Sequence, residues 1–264
     1  MKEIISRMNT KACLAFFLAI VLLPACYNIV KKDAGFKFQK APSEVSRFLA
    51  IIEQKNDAAK SFKGIGKIRV WDSDSSRTSR AAWLGAVDGR LRIEFLGLPG
   101  QPVAKFIFDG NRYSFLSHID QQEYGQTCSD PNLELVTGVS IKTSEVIDYL
   151  AGGVPVYEHD SVSVAQVAPG ESGGKFVLTF RKHWLGVVEK IFFDESVLEK
   201  VEIFKWGSKS YQVAFKDINV VNGHRVPFHL IITNGDDQGF SFTVDRHWAD
   251  INVLPSTFAI PPEE

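Results

Sequence analysis

Residues 88–96, Asp-Gly-Arg-Leu-Arg-Ile-Glu-Phe-Leu, combine a turn signal with a strict alternation of polar and apolar side chains. In an extended strand, Leu91, Ile93 and Phe95 lie on one face, and the charged side chains between them lie on the other. Asp-Gly is also a strong signal for a two-residue hairpin turn, so another strand must precede it. This segment therefore predicts an antiparallel sheet with one face directed toward a core.

Strand and turn signals continue from this hairpin in both directions. Short runs of alternating or β-branched residues are separated by Gly, Pro, Asn and Asp at intervals typical of tight connections. The predicted strands are 64–71, 78–87, 90–96, 103–108, 112–116, 121–127, 161–168, 175–182, 186–194, 197–205, 210–219, 226–234 and 239–247. The fold class is therefore mainly β, an antiparallel meander with few helices.

Two segments instead have the periodicity of amphipathic helices. The first is predicted over Ser43–Ala59, with apolar side chains repeating at helical spacing after Pro42. The second is predicted to begin at Thr143 or Ser144 as the N-cap and to stop at Gly152-Gly153. Both helices have an apolar stripe that needs a sheet to cover it.

Several predicted strands are apolar on both faces. Phe106-Ile107-Phe108 and Ile191-Phe192-Phe193 are consecutive runs, and the chain contains 20 Phe. Such runs indicate that both faces of the sheet are removed from water in places. A curled sheet that packs on a core and lines a cavity fits this pattern, and a two-layer sandwich without a cavity fits it equally well.

The amino-terminal segment predicts secretion. Three basic residues precede about a dozen apolar residues, which are too few to span a bilayer and are typical of a signal sequence. Leu23-Pro24-Ala25-Cys26 resembles the lipobox of bacterial lipoproteins, in which the chain is cut before an acylated cysteine. The resemblance implies acylation of Cys26, and Tyr27 after it favours the outer membrane. An ordinary cleaved signal sequence is the alternative.

The sequence predicts that the chain has three parts. Residues 1–25 are predicted to be the signal peptide, 26–42 a lipidated amino terminus and flexible tether, and 43–264 a single domain. The Lys-rich composition of the tether suggests flexibility, and an ordered strand is the alternative there. No Pro/Ser-rich linker divides the domain.

Composition and motifs argue against several function classes. Lys and Arg number 30 and Asp and Glu 31, so a nucleic-acid partner is not indicated. The histidines lack metal-ligand spacing, and we predict neither a metal nor a cofactor. Gly170–Gly174 has the G-x-S-x-G spacing, but a strand is predicted after it where a nucleophile elbow needs a helix. Cys128 has no intramolecular disulfide partner. We therefore predict that the chain is not an enzyme.

Gly97-Leu98-Pro99-Gly100 is a tight turn in which Leu98 has little room to fold back. Leu98 is predicted to project into solvent or toward something apolar. Packing of Leu98 on a neighbouring loop is the alternative.

Together, these segments resemble the LolA/LolB-like family of outer-membrane lipoprotein localisation factors. The resemblance lies in the runs Ser79–Trp83, Arg90–Phe95, Leu96–Gly100, Val103–Phe108, Leu150–Pro155 and Leu254–Pro262. It implies a strongly curved antiparallel sheet, an incomplete barrel, with helices covering an apolar cavity that accepts acyl chains. It also implies that Leu98 lies in a loop that contacts the membrane or the ligand.

The function expected from this resemblance is a lipid-anchored envelope protein that faces the periplasm. It would bind acyl chains of lipoproteins or another amphiphile and accept or insert lipoproteins at the outer membrane, with a periplasmic carrier protein as a partner. The candidate cavity-lining residues are Trp83, Ile93, Phe95, Phe106 and Phe108. The alternative is a structural or accessory envelope lipoprotein that binds a protein partner.

Overall fold

The computed structural model describes residues 36–39, 42–57, 59–98, 100–119, 121–167 and 174–260, with the backbone alone for 36–39 and 42. The strands are β1 (Phe36–Gln39), β2 (Ser61–Trp71), β3 (Ser76–Ala86), β4 (Arg90–Leu96), β5 (Pro102–Phe108), β6 (Arg112–Ser117), β7 (Glu123–Thr127), β8 (Ser161–Val167), β9 (Lys175–Lys182), β10 (Gly186–Asp194), β11 (Val197–Lys205), β12 (Ser208–Val221), β13 (His224–Asn234) and β14 (Gly239–Ala249). The helices are α1 (Pro42–Asn56), α2 (Glu134–Thr137) and α3 (Thr143–Ala151). Short 3₁₀ turns occupy His183–Leu185 and Pro255–Phe258.

The 14 strands within the described residues form one antiparallel sheet in the order β1-β8-β9-β10-β11-β12-β13-β14-β2-β3-β4-β5-β6-β7. Two meanders, β2–β7 and β8–β14, are joined by pairing between β14 and β2. The sheet is open, because β1 and β7 stand at opposite ends of this order. The prediction of a mainly β chain with few helices is confirmed. Among the described residues, no helix is long and apolar enough to cross a membrane.

The hairpin around Asp88-Gly89 forms as the sequence predicts. Strand β4 has the predicted bounds, Leu91 and Ile93 are buried, and Arg92 is half-buried on the other face. Gly89 has a φ of 95°, a conformation that side chains disfavour, so glycine is needed in this turn. Local turn chemistry therefore sets the register in which β3 and β4 pair.

The structure differs from the predictions near the amino terminus. Phe36–Gln39, within the predicted tether, pairs with Val164–Val167 of β8, which corresponds to the alternative of an ordered strand. This pairing covers the edge that β8 would otherwise expose. Helix α1 ends at Asn56, short of the predicted Ala59, and the Asn56 side chain binds both backbone groups of Val154 at 2.7 and 2.8 Å.

Helix α3 begins at Thr143, with Lys142 at the N-cap instead of the predicted Thr143 or Ser144. Thr143 donates its hydroxyl proton to the Pro131 carbonyl (3.0 Å) rather than capping the helix. The Glu145 carboxylate instead accepts the Lys142 backbone N–H at 2.8 Å. At the other end, Gly152 has a φ of 87°, and a Cβ there would lie 2.4 Å from the Arg225 carbonyl, so the glycine stop is required.

Antiparallel connections alternate between two ends of the sheet. We call the upper end the one where β2 meets β3 and β13 meets β14. The register places the following connections at this upper end: 72–75, 97–101, 118–122, 183–185, 206–207 and 235–238. The turns at 87–89, 109–111, 195–196 and 222–223 lie at the lower end.

Two glycines in β2 and β3 make room for aromatic rings. Gly64 pairs with Trp83, and Phe62 pairs with Gly85. A Cβ on Gly64 would lie 2.3 Å from the Trp83 ring, and one on Gly85 would lie 2.3 Å from the Phe62 ring. Each ring therefore lies over the backbone of a glycine on the neighbouring strand. The ring fills the space that a side chain at the glycine would occupy.

A candidate apolar binding cavity

An apolar cavity of about 420 Å³ lies between the sheet and the segment that contains α2. Its size falls within the range of about 300–1,000 Å³ that is common for small-molecule sites. The residues that line it are Ile68, Val70, Ile93, Phe95, Phe106, Tyr113, Phe115, Tyr124, Pro131, Asn132, Leu133, Leu135, Val136, Thr137, Val146, Phe240 and Phe242.

Strand register builds the sheet wall of this cavity. Ile93 pairs with Phe106, and Phe106 pairs with Phe115, so three neighbouring strands present one row of apolar side chains. A second row forms where Phe240 and Phe242 of β14 pair with Val70 and Ile68 of β2. Because directly opposite residues share a face of the sheet, these rows produce a continuous apolar surface.

The opposite wall is a short segment that polar contacts hold in place. Asn132 accepts the Glu134 backbone N–H at 3.0 Å, and Thr137 donates to the Leu133 carbonyl at 2.9 Å. Asn234, at the upper end, donates to the Gly138 carbonyl at 2.9 Å. These bonds place Leu133 and Val136 against the cavity within a segment of little regular structure.

The chemistry of the cavity favours an apolar ligand. No charged side chain stands among the described residues that line it. The polar side chains of Asn132 and Thr137 are already engaged in the bonds within their own segment. A search of the described residues also finds no group of three or more metal-ligating side chains. Burial of ligand hydrocarbon is therefore the main source of binding energy in this cavity.

The cavity continues toward the upper end of the sheet. A second, adjoining cavity of about 660 Å³ shares Ile68, Val70, Phe95 and Val136 with the first. Its further lining residues include Asp72, Ser75, Arg77 and Gln238, all at or near the upper end. The apolar cavity thus has a polar mouth at that end.

Three of the five predicted cavity residues line the apolar cavity, namely Ile93, Phe95 and Phe106. Trp83 is buried on the same face, with its ring edge-on to Phe242 at 5.3 Å, and does not line it. Phe108 is also buried and pairs with Leu91 nearer the lower end.

The other predicted residues lie at the surface or outside the described part of the chain. Leu98 is fully exposed at the upper end, and Cys128 is a half-buried free thiol. Cys26 and residues 170–173 of the Gly170–Gly174 motif fall outside the described residues. His224 binds Asp250 at 2.6 Å in an exposed pair.

A buried polar cluster, which no sequence pattern predicts, lies beside α3. Glu145 accepts hydrogen bonds from the hydroxyls of Tyr157 and Tyr211, the latter at 2.8 Å. The Tyr149 hydroxyl lies 3.5 Å from that of Tyr211. Glu189 is fully buried nearby and accepts the Tyr157 backbone N–H at 3.1 Å. These residues lie up to 66 positions apart in the sequence, so no local pattern reveals the cluster.

Two carboxyl groups in this region have raised pKa values. Burial, with a smaller contribution from the charge of Glu145, raises the pKa of Glu189 to about 8. Burial also raises the pKa of Asp148 to about 6, with Glu145 and Asp130 adding to the effect. The second carboxyl oxygen of Glu189 has no hydrogen-bond partner among the described residues. A protonated Glu189 avoids an uncompensated buried charge.

Comparison with solved structures identifies proteins of similar fold. No protein-family model matches the sequence, and no curated protein matches it. A DUF1329 family protein from Desulfovibrio piger ATCC 29098 is similar over 81% of this chain and 97% of its own, with 7% identity and a TM-score of 0.54. A domain named as an outer membrane lipoprotein-sorting protein from Vibrio parahaemolyticus is similar over 80% and 94%, with 9% identity and a TM-score of 0.50. The comparisons therefore agree with the LolA/LolB-like resemblance at the level of the fold.

Proposed function

We propose that this chain binds the acyl chains of lipoproteins or of another amphiphile in the apolar cavity. The observation that carries the proposal is the cavity of about 420 Å³, with aliphatic and aromatic side chains on the sheet wall and aliphatic side chains on the opposite wall. Each methylene moved from water into such a site contributes about 0.8 kcal/mol. No covalent step is needed, so the role is that of a binding protein rather than an enzyme.

We further propose that the sheet curls into an incomplete barrel around α3. Tyr149 of α3 packs on Phe215 of β12 at 5.7 Å, and the same helix also packs against β13, β3 and β4. Strands β12 and β4 are five places apart in the sheet, which is about 24 Å if the sheet is flat. A helix is only about 10–12 Å wide. Contact with both strands supports a curved sheet whose helices cover the cavity.

The proposed cellular setting is the periplasmic face of the outer membrane. The lipobox-like sequence before Cys26 supports acylation of that cysteine, and several acyl chains on one residue are enough for stable anchoring. The fold shared with a lipoprotein-sorting domain supports the same setting. A periplasmic carrier protein would then deliver the ligand, and the exposed Leu98 would contact the membrane or the ligand during transfer.

Native mass spectrometry of detergent-free full chain with diacyl phospholipid or a triacylated lipopeptide tests this proposal. We expect one bound lipid in the wild type and at least tenfold weaker binding in Val136→Arg, which places a charge in the cavity wall. Val220→Arg is the matched control, because Val220 is also exposed and lies in the lower half of β12.

A cavity that stays empty with every lipid would refute the proposal. In that case, recovery of a stoichiometric protein partner from the envelope would support the alternative of a structural or accessory lipoprotein. Equal binding by the two variants would show that lipid binds elsewhere on the protein.

A further inference from the structure

We propose that the upper end of the sheet is a docking rim for the surface of a phospholipid bilayer. The apolar rim consists of Leu98, Ile119, Leu135, Trp184 and Trp206. This inference extends beyond the cavity, since it concerns how the whole domain is oriented and involves both halves of the sheet.

The five rim residues are the most exposed large apolar side chains in the described part of the chain. Their exposed fractions are 100% for Leu98, 99% for Leu135, 83% for Trp206, 81% for Ile119 and 80% for Trp184. At the lower half, the most exposed are Val220 at 68% and Leu254 at 67%. Single exposed apolar residues are common on protein surfaces. Their collection at one end of a 14-stranded sheet requires a specific explanation.

Each rim residue lies in a separate upper-end segment. Leu98 follows β4, Ile119 follows β6, Trp184 follows β9, and Trp206 follows β11. Leu135 lies in α2, whose carboxyl end is bonded to the upper end through Asn234. The rim is therefore a set of separate projecting side chains rather than one groove. Such an arrangement suits insertion into a fluid layer better than contact with a shaped protein surface.

The backbone conformation at Trp206 indicates that a tryptophan is needed at this position of the rim. Trp206 and Gly207 form the two-residue turn between β11 and β12, with φ values of 53° and 80°. The first position of such a turn favours Asn or Asp, and a bulky side chain is strained there. A largely exposed tryptophan at a strained position indicates that the side chain is needed for contact. Tryptophan is also the residue most typical of the membrane–water interface.

The charges at the upper end identify the type of surface. Asp72 and Asp74 lie in one upper-end loop, and Asp236 and Asp237 lie in another. Lys182, Lys205 and Lys209 lie at the same end beside the turns of Trp184 and Trp206. Charges of both signs therefore offset one another, and no net attraction to anionic lipids drives docking. The partner is therefore a zwitterionic phospholipid surface that is bound by apolar insertion. Such binding should persist at high salt.

The rim also lies beside the mouth of the cavity. Leu135 belongs to the rim and lines both the apolar cavity and its polar mouth. Docking through the rim would place the mouth against the bilayer, so an acyl chain could pass between them without crossing water. This step rests on the proposed function, whereas the rim itself rests on the exposure and position of its side chains.

Chain length permits this orientation with an anchored Cys26. Strand β1 begins at the lower end, where Phe36 pairs with Val167. Strand β8 has 7 residues between that level and the upper end, which corresponds to about 23 Å. Nine residues separate Cys26 from Phe36, and the ten steps between their Cα atoms can span about 33–36 Å. An anchor in the same bilayer is therefore compatible with contact through the rim.

Quenching of tryptophan fluorescence by brominated lipid tests the proposal. The full chain is reconstituted on phosphatidylethanolamine–phosphatidylcholine vesicles that contain brominated phosphatidylcholine. Bromine quenches only at short range, so an anchored protein without rim contact is not quenched. We expect Trp184→Phe and Trp206→Phe each to lower the quenched emission, and the half-buried Trp71, also at the upper end, to account for the remainder. Trp248→Phe, near the lower end, should leave the quenched emission unchanged.

A second pair of variants does not alter the fluorophores. We expect Leu98→Glu with Ile119→Glu to reduce quenching at least fivefold, at both low and high salt. Val220→Glu with Leu254→Glu is the matched control away from the rim and should behave as wild type. All four side chains are exposed, so these changes leave the buried core unaltered.

The proposal is overturned if wild-type protein on brominated vesicles is not quenched, or if quenching depends on Trp248. It is also overturned if the rim variants convert a dimer to a monomer in vesicle-free solution, because a second copy would then be the partner. These outcomes are independent of lipid occupancy in the cavity. Failure of the rim and failure of the proposed function can therefore be distinguished.

Discussion

Replacement of Glu189 by Gln should change how the stability of the protein depends on pH. Glu189 is fully buried on β10, and one of its carboxyl oxygens has no partner among the described residues. Burial raises its pKa to about 8, so the folded protein keeps this carboxyl protonated at neutral pH. The unfolded chain releases the proton, since the ordinary pKa of the group is 4.5. The substitution removes this difference while keeping the size of the side chain.

The magnitude follows from proton linkage. Below pH 4.5 both states are protonated, and the contribution of Glu189 to stability is fully present. Between pH 4.5 and about 8 the folded state binds one proton more than the unfolded state, so stability falls as the pH rises. The loss is about 1.4 kcal/mol per pH unit and reaches about 3 kcal/mol at pH 7. This loss is a large part of a typical stability of about 5–15 kcal/mol.

Urea unfolding of wild type and Glu189→Gln from pH 6 to pH 8 measures the effect. We expect the variant to gain about 2 kcal/mol relative to wild type over this range, because Gln does not titrate. Contributions of Asp148 and His247 are common to both proteins and cancel in the difference. Glu53→Gln, an exposed carboxyl on α1, is the control and should give a constant difference. A constant difference for Glu189→Gln as well would refute a proton held at this site.

Three further substitutions test the packing. Gly64→Ala should lower the free energy of unfolding by about 1–3 kcal/mol in urea, because its Cβ would meet the Trp83 ring at 2.3 Å; an unchanged midpoint would contradict this packing. Burial lowers the pKa of His247 to about 4, so wild type should lose stability as the pH falls from 6.5 to 4. His247→Gln should lose about 3 kcal/mol less over that range, and parallel curves would contradict the argument. Asn56→Ala should cost about 1–3 kcal/mol and speed hydrogen exchange at Val154, whose backbone groups lose both partners; unchanged exchange would exclude that role.

Local signals were sufficient to predict most of the strands. Strands β4, β9, β10 and β11 have the predicted bounds, because each is a short run rich in β-branched or aromatic residues that is limited by a turn. Strand β1 was predicted as a tether, with a strand as the alternative, since its pairing with β8 lies far away in the sequence. Helix α2 has only 4 residues, too few for a helical period to be recognised.

The site could be predicted only in part. Which side chains line it depends on the pairing register of the strands and on how far each side chain lies from the cavity. Ile93, Trp83 and Phe106 are direct neighbours across three strands, so sequence alternation groups them correctly on one face. Only the structure shows that the Trp83 ring instead fills the space over Gly64. Phe240 and Phe242 reach the cavity through the pairing of β14 with β2, which no local pattern in the sequence indicates.

Helix α3 connects the cavity with the buried polar cluster, because adjacent residues on it face different surroundings. Val146 lines the cavity, whereas Glu145 is bonded to two tyrosine hydroxyls and to the start of its own helix. Moving α3 would break hydrogen bonds to a buried carboxylate, which costs more than moving a wall of exposed side chains. The wall formed by α2 has such side chains, with Leu135 at 99% exposure. Entry of a ligand should therefore displace α2, which also contributes Leu135 to the apolar rim, so opening of the cavity and contact with a bilayer would involve the same short helix.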